Sequence, residues 1–284
     1  MNKFLTTLIY FLLMPTASMA FASPRPVELH QSLNIAPVDA AAASKQKVAA
    51  LTLDACGGAF DEDLIQYLIA HRIPATIFAT KRWIDRNARG VAILIAHPDL
   101  FEIEDHGANH VPAVIGAGKR VYGILGQPDA AHLVSEVEGG ARAIAAASGT
   151  APRWYRGATA EYDAAAIDVI QSLGYKIAGF SLNADAGATL RRVAIVARLK
   201  ASRNGDIIIA HMNKPNSDTA EGLAMGLAWM AAHGFRFVTL NAMTVHAIAV
   251  GHRTARQMLR VPGFAAAQQP APAPTDSAGS LPYW

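Results

Sequence analysis

Phe101-Glu102-Ile103-Glu104-Asp105-His106-Gly107-Ala108-Asn109-His110 is the stretch whose reading decides the fold. Phe101 and Ile103 alternate with acids, the period-two pattern of a strand. Two histidines four residues apart follow at once. On a helical turn that spacing would put both imidazoles on one face, within reach of a single cation. The same arrangement, a reactive side chain just past an apolar strand, recurs along the chain. Asp54 follows the run 48–53, and Arg156 closes the short run 153–156. Asp185 follows the run 175–181, and His211 follows the run 206–210. A further strand is expected at 75–79 and a last one at 235–240, followed by a short helix. Between the strands lie helical patterns at 61–71, 89–97, 131–147, 163–173, 189–200 and 218–234. Thr189 is expected to cap the fifth of these, and Asp218-Thr219-Ala220-Glu221 reads as a capping box for the sixth. Alternating strands and helices make a parallel sheet, either open or closed into a barrel. Polar groups beyond five strand ends favour the barrel, where those ends converge on one mouth. An open sheet would gather only the groups near a switch point. The expected fold is therefore α/β, with about seven parallel strands in a single domain spanning 46–262.

Composition narrows the function. The chain has 284 residues, a net charge of +3 and 17% charged residues. It has no long lysine–arginine run of the kind that binds nucleic acid. Lys3, the apolar run 4–14 and the small residues of 17–22 read as a secretory signal peptide cleaved after Ala22 or Ala20. No later run reaches the roughly 18 apolar residues of a membrane span. The mature chain is thus expected to be exported, to the periplasm or beyond, without a transmembrane segment. Residues 23–45 read as an irregular lead and 263–284 as a disordered tail rich in proline and alanine. Cys56 is the only cysteine, so no internal disulfide can form. It reads as a packing residue, because nothing near it in sequence would depress its pKa.

Five short motifs in order give a sharper reading. They are Thr52-Leu53-Asp54-Ala55, His106 with His110, Tyr155-Arg156-Gly157-Ala158-Thr159, Phe180 to Asp185, and Ile207-Ile208-Ile209-Ala210-His211. Over most of residues 48–242 the chain resembles the polysaccharide deacetylases, carbohydrate esterase family 4. The resemblance implies an irregular, incomplete (β/α) barrel. It implies a metal-dependent hydrolase of non-peptide carbon–nitrogen bonds, removing N- or O-acetyl groups from sugars of a polysaccharide or glycan. The cofactor would be a divalent cation, zinc first. His106 and His110 would be metal ligands, His211 the acid that protonates the leaving amine, and Arg156 a support for the catalytic carboxylate.

The chain departs from the family at Ala55, where the family has the second acid of an Asp-Asp pair. Strict carry-over makes Asp54 the base and leaves the metal one ligand short. Ligand count favours Asp54 as the third ligand instead, with Asp185 or Asp105 as base, and that is the reading adopted. The Pro-Pro-Tyr that follows the third-motif arginine in the family is also missing. Two other readings are a carbohydrate-binding protein that has lost catalysis, with Ala55 as the first lesion, and a hydrolase of some other C–N amide. Trp83, Trp154 and Trp229 read as core residues rather than sugar platforms, although Trp154 is close enough to the site to stack on a ring. Met212-Asn213-Lys214-Pro215 either lines the mouth or only turns the chain.

Overall fold

A computed structural model describes residues 25–35 and 46–245. The expected signal peptide, part of the lead and the tail lie outside the described residues. Eight strands make one parallel sheet: β1 (Lys47–Ala55), β2 (Ala75–Ala79), β3 (Phe101–Asp105), β4 (Trp154–Tyr155), β5 (Lys176–Ile177), β6 (Leu182–Asn183), β7 (Ile207–His211) and β8 (Phe235–Val238). Their order is β5-β4-β3-β2-β1-β7-β6, with β8 beside the first half of β1. The sheet curls without closing, so it is the expected incomplete barrel. Among the described residues seven helices accompany it: α1 (Glu62–Ala70), α2 (Lys81–Arg86), α3 (Ala88–Ile95), α4 (Ala130–Ser148), α5 (Ala164–Ser172), α6 (Arg192–Lys200) and α7 (Thr219–Ala232).

Period-two alternation divides the core. On β1, Ala49, Leu51, Leu53 and Ala55 join Leu64, Leu68, Leu223 and Leu227 in the apolar layer between sheet and helices. Val48 and Ala50 point the other way, with Phe78, Ile207 and Ile209. Thr52 and Asp54 continue that inner face toward the C-terminal end of the strand, where both meet Arg156. Strand register sets His211 of β7 beside Asp54 of β1.

Several local expectations are corrected. Of the strand expected at 175–181 only β5 forms, with β6 starting just beyond it, because the carbonyls of Ala178 and Gly179 accept from the Arg156 guanidinium rather than from a neighbouring strand. The lead is not irregular throughout: His30 bridges Phe180, Ser32 bridges Asp206, and Leu33 bridges Val245. This contact requires Gly179, where a Cβ would lie 2.1 Å from the Leu29 carbonyl oxygen. Residues 241–245 turn into that bridge, and the chain beyond them, where the short helix is expected to continue, lies outside the described residues. Helix α6 starts at Arg192, because Thr189 donates to the Ala186 carbonyl and caps nothing. The capping box is not closed either. The Asp218 carboxylate accepts from the Arg192 backbone N–H, and Glu221 pairs with the Arg192 side chain. Helix α2 was not expected; Thr80 starts it by accepting from the Trp83 N–H at 3.1 Å.

Candidate active site

The two histidines meet without a helical turn. His106 leaves β3 directly, and Gly107 (φ 83°) and His110 (φ 63°) take left-handed conformations that fold the loop back. The rings end edge to face, with centroids 4.8 Å apart. Helix α4 holds this loop. The buried Glu136 carboxylate accepts from the backbone N–H groups of Asn109 (2.8 Å) and Val111 (3.1 Å). His106 is buried, and its Nδ1 donates to the Arg156 carbonyl at 2.6 Å. That bond fixes the tautomer and leaves Nε2 free to act as a donor atom.

Nε2 of His106 lies 3.5 Å from Cys56 Sγ and 3.6 Å from Asp54 Oδ2. Among the described residues, one donor atom each from Cys56, His106 and His110 fall within 4.8 Å of one another. The expected ligand set was Asp54, His106 and His110; the cluster the fold assembles contains Cys56 and not Asp54. Cys56, read from the sequence as a packing residue, sits in this cluster. Burial disfavours its thiolate, yet hydrogen bonds and charge from His106, with His110 and His211, bring the thiol well below its ordinary pKa. His106 in turn is pushed up to about 9, since the Asp54 and Cys56 charges outweigh burial.

Asp54 has a different partner. Arg156 is fully buried, and its Nη1 donates both to Asp54 Oδ1 at 2.8 Å and to Thr52 Oγ1 at 2.8 Å. Burial raises the Asp54 pKa, but Arg156, then His106 and His211, hold the carboxyl below its ordinary value. The guanidinium also lies over Phe78, 4.2 Å from the ring centroid.

Across the mouth, His211 Nδ1 lies 2.9 Å from Asp185 Oδ1, and the His211 backbone N–H donates to Asp185 Oδ2 at 2.9 Å. Thr219 Oγ1 and the Gly187 N–H also donate to this fully buried carboxylate. Asp185 therefore orients an imidazole and is not placed as a base facing the cavity. Burial opposes charge on His211, but hydrogen bonds and charge from Asp185 and Cys56 raise its pKa well above the ordinary value, which favours the protonated ring. Asp105 is not placed as a base either. It is buried, its Oδ1 accepts from the Gly107 N–H, and burial holds it protonated well above the carboxylate range.

Asp54, Cys56, His110 and His211 line one cavity of about 410 Å³, together with Glu28, Tyr122, Thr159, Phe180 and Asn183. Asn213 and Lys214 line an adjoining hollow with Cys56, His110 and His211, so the segment after β7 does border the mouth. Trp154 does not; it is buried, with its indole N–H on Asn241. The sequence reading missed Cys56, Glu136 and Thr159. Thr159 and Ala160 both adopt left-handed conformations (φ 68° and 54°) and put Thr159 on the cavity wall.

The sequence model of the family described as polysaccharide deacetylase matches residues 41–178. No curated protein matches the chain. Solved structures with the same fold include a carbohydrate esterase family 4 pseudoenzyme from Bacillus anthracis, at 18% identity and a TM-score of 0.58. That match covers 70% of this chain and 65% of the other, so this chain spans just under two thirds of that protein. A peptidoglycan deacetylase from Bacillus subtilis matches at 16% identity and TM-score 0.56, covering 69% of this chain and 89% of that one. A family 4 carbohydrate esterase from Streptomyces lividans, solved with acetate, matches at 19% and 0.54, covering 67% and 91%.

Proposed function

We propose that the chain is an atypical member of the polysaccharide deacetylase family and an exported, metal-dependent hydrolase that removes acetyl groups from N-acetylated sugars of a glycan. The observation that supports this best is the set of groups at one cavity: an arginine-paired carboxylate, an Asp-oriented histidine and the His110 imidazole line it, with the His106 ring packed edge to face against His110. His106 and His110 would hold the cation. A buried imidazole fixed by a backbone carbonyl and a half-buried one carried on a braced loop suit a zinc-like ion. When bound, the cation would polarise the acetyl carbonyl and acidify water.

The chain's own residues divide the proton transfers. Asp54, kept ionised by Arg156, takes a proton from the attacking water through Oδ2, the oxygen that Arg156 leaves free. His211, kept protonated by Asp185, gives its Nε2 proton to the sugar nitrogen as the C–N bond breaks. Acetate and a free amine leave. The carboxylate and the imidazolium thus hold opposite protonation states in one cavity, the condition for acid–base work at one pH. This assigns Asp54 as base in place of the ligand role preferred on donor count.

A second reading follows from Ala55 and from the pseudoenzyme among the structural neighbours: a glycan-binding protein without turnover. The test is acetate release from a panel of N- and O-acetylated glycans. The deacetylase reading expects release that stops with His211→Ala. Glycan binding without acetate release by metal-loaded wild type would favour the second reading.

A further inference from the structure

We infer that Cys56 is the third protein ligand of the cation held by His106 and His110, a thiolate taking over the place of the family's second carboxylate. The inference rests on the metal-hydrolase reading and identifies the donor that reading lacks.

Strand parity comes first. Strand β1 stays extended through Ala55. Ala55 therefore shares the helix-facing side with Leu51 and Leu53, and it is completely buried in their apolar layer. No side chain at position 55 can turn into the mouth without breaking the strand. The next residue with the parity of Thr52 and Asp54 is Cys56. In this chain the side chain that reaches the mouth past Asp54 is therefore the one at position 56, not the one at 55.

Distance agrees. Zinc–sulfur and zinc–nitrogen bonds of about 2.3 and 2.05 Å at a tetrahedral angle place the two ligand atoms about 3.6 Å apart. The Cys56 Sγ to His106 Nε2 separation is 3.5 Å. All three donor atoms lie within 4.8 Å of one another.

The backbone around Cys56 is also fixed in place. Its carbonyl accepts from Thr80 Oγ1 at 2.6 Å and from Arg82 Nε at 3.0 Å. The two glycines that follow permit this packing. A Cβ on Gly57 would lie 2.5 Å from Arg82 Nε, and one on Gly58 would lie 1.9 Å from the Asn213 carbonyl oxygen. A ligand held by neighbours that are themselves bonded keeps its geometry before the metal arrives. On binding, the Cys56 S–H proton passes to solvent as the sulfur–metal bond forms. A thiolate with two imidazoles prefers zinc or cobalt to magnesium, calcium or manganese.

Cobalt substitution of the full chain tests this, since Cys56 is the only thiol. Wild type is expected to bind one cobalt ion and show a near-ultraviolet sulfur-to-cobalt charge-transfer band. Cys56→Asp should bind cobalt without that band, and Cys56→Ser should lose at least tenfold in zinc affinity by competitive titration. Cobalt bound by wild type with no such band, or Cys56→Ser binding zinc like wild type, would overturn the ligand role and leave the hydrolase reading standing. Wild type that binds no metal but still releases acetate would overturn both metal claims.

Discussion

Asp54 and His211 stand on adjacent strands yet are held in opposite charge states by different partners, Arg156 and Asp185. Two substitutions separate their roles from metal binding. His211→Ala should lower acetate release by about 100-fold or more while the metal content of purified protein is unchanged. Asp54→Asn should do the same; an apoprotein instead would return Asp54 to the ligand role. Ala55→Asp, which writes the family's acid pair back into the sequence, should not tighten zinc. It would bury a carboxylate among Leu51, Leu53 and the helices, at a cost on the order of 2 kcal/mol or more in urea unfolding. Much of this site was legible in the sequence, because His106, His110, Arg156 and His211 follow recognisable strands. The third ligand was not. A motif match compares positions, whereas the side chain that reaches the mouth depends on where β1 ends and hence on parity. The alternation of Thr52, Asp54 and Cys56 was the available signal. Asp185 was found, but its role depended on contacts with Thr219 and the His211 backbone that no sequence pattern shows.

Helix α4 contributes no cavity-lining group, yet it sets the loop that carries His110. Glu136 accepts from the loop backbone, and Gly140 lets the helix approach it closely. A glycine inside a helix ordinarily gains stability on replacement by alanine, about 1 kcal/mol. Here a Cβ would lie 2.0 Å from Asp105 Oδ1 and 2.7 Å from the Gly107 carbonyl carbon. Gly140→Ala should therefore destabilise, by roughly 1 to 3 kcal/mol, in denaturant unfolding. Stabilisation would show that the helix and loop are not in this contact. The main elements were legible at this scale, since helical spacing of apolar residues marks α5 and continuous apolar runs mark β1 and β7. The elements that were missed are set by tertiary partners: α2 is too short for a period, and the break between β5 and β6 exists because Arg156 takes carbonyls that a strand would have used.

At the scale of the whole molecule, Glu104 of β3 links that strand to β4 and to the segment after β8. It accepts from the Arg153 and Trp154 N–H groups and from the Asn241 side chain. Burial raises its pKa from 4.5 to about 7, with those hydrogen bonds opposing. Between these pH values the folded chain holds a proton that the unfolded chain has lost, so this residue's contribution to stability falls as pH rises. Relative to wild type, Glu104→Gln should gain stability from pH 4.5 to pH 8 in urea unfolding; an unchanged difference across that range would contradict the assignment. Export, proposed from the N-terminal pattern, predicts a mature chain beginning at Ser23, or at Phe21 as second choice. An intact Met1 on secreted or periplasmic protein would rule it out. The most direct test of the central claim is acetate release from N-acetylated glycan by the purified chain, before chelation, after it, and after zinc is returned. The account predicts release that chelation abolishes and zinc restores, and release that continues undiminished in the chelated protein would contradict it.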